Sequence, residues 1–448
     1  MDCSFIVPPP SDHAVVRDYA GGLGFEAATT YVLPPLDLLQ LAAVAGSSFS
    51  VDLHDFSFAG GSTVTVADRF GLDLTGRTLV VQVSLPTLSH DVTFARLLRS
   101  RGARVLHRVQ HIAPESLSTL DADADDEWLL GECEEVLCDV LEGAYPPNAF
   151  GPGATPPARP RDLDSLPFPL RELARGLPYH FPRLGRCTTL LSSRGCPFSC
   201  RYYCPYPLSQ GTRWRSRSAA SVIEEVEQIV DRGLARRILF RDAVFTLNQA
   251  RTQEICRGIR ASGQRIRFWC ETRADLLDED TVRELAASGC VGVNIGVETG
   301  DEELRLRQLK SGITDELLAS VGERLRRHEI QVSLLMMVGW PSETRRSLAR
   351  TGALIGRLRP RSVGFAFPTA YPGTEFHRDM MAAGSDHALL LPTSGGVPQV
   401  VAPGLTPTDL IEGRDLLVSI AEAASDVASV SDLAERQRAL AVWAERSR

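Results

Sequence analysis

The pattern of apolar and polar residues alternates between strand-like and helix-like segments over residues 1–144. Apolar runs such as CSFIV and RTLVVQVS are typical of buried strands, and they alternate with the amphipathic segments PPLDLLQLAAVAG and HDVTFARLLRSRG. Strands that alternate with helices form parallel sheets with helices on both faces. We therefore predict a Rossmann-like, doubly wound α/β domain at 1–144, which ends in a Gly131-Glu132 turn and an acidic helix.

A second alternation follows a proline-rich segment. Residues 145–186 contain ten prolines, so we expect an extended linker that packs along a domain surface. Residues 187–370 contain six apolar runs separated by helical patterns, which predicts a partial (β/α)6 barrel of the TIM type. Ser221 and Glu224 have capping-box spacing at the first helix. Residues 371–448 are expected to form a mixed, mostly helical region with a loop over LLPTSGGVPQVVAPGLTP.

Composition narrows the possible functions. The 448 residues are 44% hydrophobic and 23% charged, as in globular proteins, and the net charge of −8 argues against nucleic-acid binding through phosphates. The sequence has no 18-residue apolar run and no signal peptide, so we predict a cytoplasmic protein without a membrane partner. The single lysine, Lys310, follows Leu309 rather than glycine, which excludes a P-loop.

Three cysteines lie close together directly after the first predicted strand of the barrel. Cys196, Cys200 and Cys204 are four residues apart, and the prolines between and after them prevent a continuous helix. Structural zinc sites use four protein ligands. Three thiolates can instead hold three irons of a [4Fe–4S] cluster and leave the fourth iron open for a ligand. The alternative is a buried or zinc-binding loop completed by a distant residue such as Cys187 or Cys270.

The segment RGCPFSCRYYCPYP resembles the cluster loop of radical S-adenosylmethionine (radical SAM) enzymes. The usual pattern is CxxxCxxC, whereas this chain reads CxxxCxxxC, with Tyr202 and Tyr203 both in the last gap. Further resemblance lies in the segments ILFRDAVFT, FWCETRADLL, SGCVGVNIGVETG, LLMMVGWPSET and YPGTEF, which follow in the family's order. The resemblance implies a cluster bound by the three cysteines, S-adenosylmethionine on the open iron, and one of the two tyrosines against the adenine.

The same resemblance implies roles for polar residues where the predicted strands end. Asp242 would contact the methionine amine, and Glu271 with Arg273 would end the third strand, where Arg273 suits a carboxylate. The remaining contacts would be Glu298 to the ribose and the backbone of Val338 and Gly339 to the adenine. Structural alternatives exist for each: Asp242 as a turn cap, Glu298 paired with an arginine, Arg273 paired with Glu271, and Gly339 as part of a turn.

The N-terminal domain resembles the cobalamin-binding class of this superfamily, through VPPP, LPPLDLLQLAA, VDLHDFS and DEWLLGECEEVL. His54 lies inside a predicted strand and lacks the glycine of a cobalt-ligating motif, so we interpret it as structural. Cobalamin would then be held without a histidine ligand, by strand-end backbone and by Gly131 and Glu132. The alternative is a domain that binds no cofactor.

The resemblance therefore implies a cobalamin-dependent radical SAM methyltransferase that acts on an unactivated carbon or phosphorus of a small metabolite, such as a natural-product intermediate. Flavodoxin or ferredoxin would supply electrons. Two alternatives remain: oxidation, cyclisation or rearrangement without methyl transfer, and a non-catalytic metal-binding protein. After the cysteines, Arg213, Arg215 and Arg217 could bind an anionic group, although we favour a solvated lead into the next helix.

Overall fold

The computed structural model describes residues 2–11, 31–109, 123, 125–151, 154–384, 398, 404–425 and 430–445. The loop predicted over residues 390–407 lies mostly outside these ranges, and so does the segment between the fourth strand and the Gly131-Glu132 turn.

Five parallel strands form the N-terminal sheet in the order β2-β1-β3-β4-β5. The strands are β1 (Asp2–Val7), β2 (Ser50–Asp55), β3 (Thr78–Gln82), β4 (Arg104–Val109) and β5 (Glu127–Leu130). The connecting helices are α1 (Leu36–Ala45), α2 (Thr63–Phe70), α3 (Leu88–Arg99) and α4 (Leu137–Glu142). The predicted doubly wound sheet is confirmed, although α2 was not predicted.

The two faces of this sheet are covered by different helices. Leu38 of α1 and Leu137 of α4 pack against Val80 on one face. Val66 of α2 and Phe94 of α3 pack on the other. The strand order reverses between β1 and β3, and in doubly wound sheets ligands bind in the crevice outside the carboxyl ends of strands at such a point.

The proline-rich linker contains more regular structure than expected. It forms a 3₁₀ turn at Arg171–Ala174 and a small antiparallel pair of strands, β6 (His180–Phe181) and β7 (Gly185–Arg186). Gln40 of α1 donates a hydrogen bond to the carbonyl of Pro167 at 2.7 Å. Because Arg171 also donates to the carbonyl of Thr189 at 2.7 Å, the linker is fixed to both halves of the chain.

Six parallel strands form the second sheet, in the order β8-β11-β12-β13-β14-β15. They are β8 (Thr188–Leu190), β11 (Arg237–Phe240), β12 (Arg267–Thr272), β13 (Cys290–Glu298), β14 (Gln331–Met337) and β15 (Ser362–Ala366), and β9 (Ser193–Arg194) and β10 (Arg215–Ser216) form an antiparallel pair after β8. The intervening helices are α5 (Tyr206–Gln210), α6 (Ala219–Asp231), α7 (Gln249–Ala261), α8 (Glu279–Ala287), α9 (Asp315–Arg327) and α10 (Arg345–Leu358). The predicted partial barrel is confirmed.

The cap of helix α6 differs from the prediction. Ser218, not Ser221, is the N-cap, and its side chain accepts a hydrogen bond from the backbone N–H of Ser221 at 3.1 Å. The Ser221–Glu224 capping box is therefore wrong, because the helix begins three residues earlier, where Ser218 has extended backbone angles.

The C-terminal region is helical, as predicted, and belongs to the barrel's hydrophobic core. Its helices are α11 (Glu375–Ala382), α12 (Pro407–Ser425) and α13 (Val430–Ala444). Leu417 of α12 and Trp443 of α13 are buried with Leu348 of α10 in one cluster. None of the helices in the described ranges combines the length and the apolar character that crossing a bilayer would require.

Candidate functional site

A loop at residues 195–211, which we call the cysteine loop, carries the three cysteines between β9 and β10. Its two ends are joined, because the backbone N–H of Cys196 donates to the carbonyl of Gly211 at 3.1 Å. Gly195 has a φ of +87°, and a Cβ there would lie 2.2 Å from the carbonyl oxygen of Arg213. Only glycine therefore fits at the start of the loop. Within the loop, Cys204 N–H donates to the carbonyl of Cys200 at 2.9 Å.

The thiols of the cysteine loop lie in a largely water-excluded environment. Cys196 and Cys200 are buried, and Cys204 is mostly covered. Burial raises the pKa of the Cys196 thiol, while the nearby charges of Lys310 and Arg273 oppose that rise. Burial also raises the pKa of Cys204. Buried thiols of this kind become thiolates when a metal centre binds them.

The donor set fits an iron–sulfur cluster better than a single ion. Among the described residues, no group of three or more His, Cys, Asp or Glu side chains is arranged to hold one metal ion. Ligands of a [4Fe–4S] cluster bind different irons, so they need not converge on one point. Cys187 precedes β8 and is buried with Leu33 and Trp269, whereas the cysteine loop follows that strand. Cys270 lies in the main core, where it interacts with Cys290. Neither is placed to complete the site.

The two tyrosines in the last cysteine gap point in different directions. Tyr203 is buried, its ring lies 5.0 Å from that of Trp340 in an edge-to-face contact, and its phenol interacts with Glu298. Burial and the charge of Glu298 hold the pKa of Tyr203 well above its usual value. Tyr202 faces outward, and its hydroxyl donates to Asp379 of α11 at 2.9 Å. Tyr203 therefore faces the barrel, and Tyr202 anchors the loop to the C-terminal region.

Asp242 follows β11 and is completely buried. Its carboxylate accepts hydrogen bonds from the hydroxyls of Ser192 (2.7 Å) and Ser193 (2.5 Å) and from the backbone N–H of Ser192 (3.1 Å). Arg251 donates in turn to the carbonyl of Ser192 at 2.8 Å. These bonds fix Asp242 beside the segment that leads into the cysteine loop. The alternative in which Asp242 only caps the next turn does not account for them.

Glu271 and Arg273 do not form the ion pair that was considered for them. Glu271 pairs with Arg241 at the end of β11. Arg273 forms two hydrogen bonds with Asp275, at 3.0 and 2.9 Å. The Arg273 guanidinium also lies 3.9 Å from the ring centroid of Phe198 in the cysteine loop. Arg273 is therefore held between β12 and the loop that carries the cysteines.

Glu298 ends β13 in a conformation that non-glycine residues rarely adopt. Its φ is +72°, and the pairing of β13 with β14 shifts register between Gly296 and Glu298. The carboxylate forms an ion pair with Lys310 at 3.2 Å. Backbone strain of this type is concentrated at functional sites. The alternative that Glu298 pairs with an arginine is wrong, because its partner is the single lysine.

The sequence predicted no role for Lys310 in the site. This single lysine was used only to exclude a P-loop. Its side chain is 11% exposed. Burial lowers the pKa of Lys310, but the charges of Glu298 and Cys200 outweigh burial, so its pKa is raised. The sequence does contain a feature that could have indicated this residue. Lys310 is the one lysine in a chain rich in arginine, and it lies shortly after the strand that ends in Glu298.

The turn after β14 is held by a buried carboxyl group. Val338 N–H donates to the carbonyl of Ala366 at 2.9 Å, and Gly339 has a φ of +103°. Gly339 N–H donates to Glu343 at 3.3 Å. Burial raises the pKa of Glu343 to about 7, although hydrogen bonds from Ser347 and the turn oppose it. Trp340, whose ring contacts that of Tyr203, directly follows Val338 and Gly339 in this turn.

The turn after β5 connects the N-terminal sheet to the cysteine loop. The side chain of Glu132 is completely buried and pairs with Arg194 at 2.7 Å and with Arg215 at 2.5 Å. Glu134 also pairs with Arg194, at 2.7 Å. Arg194 and Arg215 face each other in the β9–β10 pair at the base of the loop. The Glu132 side chain is therefore engaged by protein. Gly131, with a φ of +75°, donates its N–H to the carbonyl of Val109 at 3.3 Å and accepts from Arg108 at 2.6 Å.

The arginines after the cysteine loop are not a uniformly solvated lead into α6. Arg213 is exposed, but Arg215 is paired with Glu132 and Arg217 with Glu225 inside the protein. The solvated interpretation is wrong for Arg215 and Arg217, because each pairs with a buried carboxylate: Glu132 lies 83 residues before Arg215, and Glu225 lies in the following helix α6.

His54 occupies a structural position. Its ring packs edge-on against Phe70 with 4.7 Å between centroids, and its Nε2 lies 3.2 Å from Asp52. These contacts are on the flank of the N-terminal sheet, in agreement with the structural interpretation.

Comparisons with known proteins agree with this architecture. The model of the radical SAM superfamily matches residues 190–355. A methyltransferase of Pyrococcus horikoshii whose activity is uncharacterized is 24% identical over 400 residues, which are 82% of this chain and 81% of the relative. The fold is shared with two solved structures. The radical SAM methyltransferase TsrM of Kitasatospora setae, with cobalamin and a [4Fe–4S] cluster bound, has a TM-score of 0.65 and 19% identity, covering 92% of this chain and 84% of TsrM. The cobalamin-dependent radical SAM enzyme OxsB has a TM-score of 0.61 and 15% identity, covering 86% of this chain and 55% of OxsB.

Residues 190–355 thus match the radical SAM superfamily, and the relatives of the chain support an enzymatic function. The relatives and solved structures that resemble most of its length include methyltransferases.

Proposed function

We propose that this chain is a cobalamin-dependent radical SAM methyltransferase acting on an unactivated carbon or phosphorus of a small metabolite. The observation that carries the proposal is the contact between the turn after β5 and the base of the cysteine loop. In this contact the carboxylate of Glu132 lies 2.7 Å from the guanidinium of Arg194. This contact brings the carboxyl end of β5 in a doubly wound sheet next to the loop of three largely buried cysteines. The fold shared with TsrM, whose structure holds both cofactors, supports the same proposal.

Cys196, Cys200 and Cys204 would hold a [4Fe–4S] cluster, which supplies the one-electron chemistry that cleaves S-adenosylmethionine. The chain's own side chains would orient that cosubstrate. Asp242, fixed by Ser192 and Ser193, is an acceptor for its amine. Arg273 is restrained by Asp275 and Phe198 and offers donors to a carboxylate.

The remaining contacts would recognise the nucleoside. Glu298 is an acceptor for ribose hydroxyls, and its left-handed backbone turns its carboxylate toward Tyr203 and Lys310. Glu271 would support this edge of the barrel through its pair with Arg241. We assign adenine packing to Tyr203, because Tyr202 is bound to Asp379 on the outer side of the loop.

Cobalamin would be bound by the N-terminal domain without a histidine ligand to cobalt. The Gly131–Glu132 backbone is the proposed contact, since the side chain of Glu132 is already paired with three arginines, Arg159, Arg194 and Arg215. His54 is engaged by Asp52 and Phe70 and is not proposed as a ligand.

Anaerobic reconstitution with iron, sulfide and hydroxocobalamin tests the cofactors. We expect about four irons and about one cobalt per chain after desalting. Cys200→Ala should lose most of the iron, whereas Cys256→Ala, a matched change of a buried cysteine in the helical core, should keep it. Bound zinc without sulfide would reject the radical SAM site, and full iron without cobalt would reject the cobalamin assignment.

Labelled S-adenosylmethionine then tests the reaction. With a flavodoxin or ferredoxin reducing system, a CD₃ group should appear in a small-molecule product and not in tRNA, since a chain of net charge −8 is poorly suited to polyanions. Cleavage of S-adenosylmethionine without any labelled product across a metabolite panel would favour oxidation, cyclisation or rearrangement instead.

A further inference from the structure

The single lysine of the chain reaches into the mouth of the barrel. Lys310 follows one helical turn, Glu302–Leu304, and a π-helix, Arg305–Leu309. Its backbone N–H donates to the carbonyl of Arg305 at 2.6 Å, which fixes the end of that helix. Its Nζ lies 3.2 Å from the carboxylate of Glu298, and the side chain is almost fully buried.

A glycine in β13 makes room for this ammonium group. A Cβ on Gly296 would lie 2.7 Å from Nζ of Lys310 and 2.8 Å from the carboxylate oxygen of Glu298. Any larger residue at 296 would therefore push the ion pair out of its place. Gly296 and Lys310 therefore depend on each other, because the ammonium group occupies the space that a side chain at 296 would fill.

The position of Lys310 relates it to the cysteine loop. Leu304, in the helical turn that precedes Lys310, is buried in one cluster with Cys200 and Tyr203 of the cysteine loop. Glu298, the partner of Lys310, also interacts with the phenol of Tyr203, so the ammonium group lies on the side of the barrel that faces this loop. Arg273 shares its charge with Asp275 at 2.9 Å, whereas Lys310 is paired with a carboxylate, Glu298, that the proposed function gives to the nucleoside. Water is largely excluded here, so charges interact more strongly than in bulk solvent.

We propose that Lys310 is the positioning residue that sets the electrostatic environment of the cluster, favouring its reduced state and holding Glu298 in place. The inference rests on the proposed function, because it assumes that the three cysteines hold a cluster. Reduction adds one electron, and hence one negative charge, to the cluster from an external donor such as flavodoxin or ferredoxin. A fixed positive charge nearby stabilises that added charge, and net charge is among the properties that set cluster potentials.

The test is a redox titration of the full-length reconstituted chain, followed by electron paramagnetic resonance. Lys310→Gln should reduce the ratio of reduced to oxidised cluster about tenfold at a fixed potential, a shift of about 59 mV to more negative values for a one-electron couple. Lys310→Arg keeps the charge and should restore most of the ratio. Gly296→Ala leaves the lysine in the chain but displaces its ammonium, so it should shift the potential in the same direction.

Arg307→Gln is the matched control. Arg307 precedes Lys310 in the same helical segment, but it is 62% exposed and pairs with Glu303 at the surface. Its removal should leave the potential unchanged. A common potential for wild type, K310Q, G296A and R307Q, with full iron in each, would overturn the role of Lys310 and leave the proposed function standing. A wild-type chain that takes up no iron would overturn both.

Discussion

Replacement of Glu132 by glutamine removes one negative charge from the contact between the two halves of the chain. The carboxylate is completely buried and faces Arg194 at 2.7 Å and Arg215 at 2.5 Å, whose side chains are 5% and 8% exposed. Glutamine has nearly the same shape, so the change tests charge more than packing. Both arginines remain charged, because guanidinium groups do not lose their proton in proteins.

The expected loss of stability in E132Q depends on which hydrogen-bond and ion-pair partners each arginine retains. Arg194 retains Glu134 at 2.7 Å. Arg215 retains the carbonyl oxygens of Pro160 (2.6 Å) and Gln210 (2.9 Å), which carry no full charge. Removing one partner from a buried ion pair typically costs about 3–5 kcal/mol, since it leaves a charge uncompensated. With Arg194 still paired, we expect about 3 kcal/mol of lost stability for E132Q.

Denaturant unfolding of the reduced apoprotein measures this loss. Asp280→Asn is the control, because the Asp280–Arg283 pair has a similar distance of 2.6 Å but is 66% and 56% exposed. Surface pairs contribute little, so D280N should change stability by at most about 0.5 kcal/mol. The double variant E132Q/R215M should regain part of the loss, since methionine removes the unpaired charge and fills the space.

Two results would refute this reasoning. E132Q could be no less stable than D280N, which would mean that water or neighbouring residues compensate the arginines. Alternatively, E132Q/R215M could be less stable than E132Q alone, which would assign the loss of stability to packing and not to an unpaired charge. Hydrogen exchange locates the change: residues 194–216 should exchange faster in E132Q, because Arg194 and Arg215 pair across the base of the cysteine loop.

Two further predictions concern titration and cosubstrate binding. Burial raises the pKa of Glu343 from 4.5 to about 7, so its contribution to stability is greatest at low pH and falls by about 3 kcal/mol as pH rises from 4.5 to 7. E343Q should flatten that decline in unfolding free energies measured across this range, and an unchanged slope would contradict the assignment. Tyr203→Phe, which loses the contact with Glu298, should weaken S-adenosylmethionine binding to the reconstituted protein about tenfold by calorimetry. Tyr202→Phe, which loses only the bond to Asp379, should change it less than twofold, and equal effects of the two variants would reject the inward assignment of Tyr203.

The fold was predictable because its signals are local. Each of the six barrel strands is an apolar run followed by an amphipathic helix, and such units form parallel sheets with little ambiguity. The same regularity predicts that Asp242, Glu271 and Glu298 lie at one edge of the sheet, since parallel strands end on the same side. All three residues lie at that edge.

The partners of these residues could not be predicted in the same way. Glu132 and Arg215 are 83 residues apart, and nothing in the local pattern around Arg215 distinguishes a buried guanidinium from a solvated one. Gly296 is similar: a strand glycine indicates a close approach, but the approaching group, Lys310, is visible only when β13 and the following helix are folded together.

The cysteine loop therefore depends on both halves of the chain. Its base is a two-residue β-ladder in which Arg194 faces Arg215, so two like charges lie opposite each other, an arrangement that is unfavourable by itself. The N-terminal domain supplies Glu132 and Glu134, which neutralise these arginines. A barrel fragment that begins at residue 187 would retain the cysteines but lose both carboxylates. We expect such a fragment to hold its loop, and hence its iron, less well than the full chain, because the N-terminal sheet provides the charges that close the base of the loop.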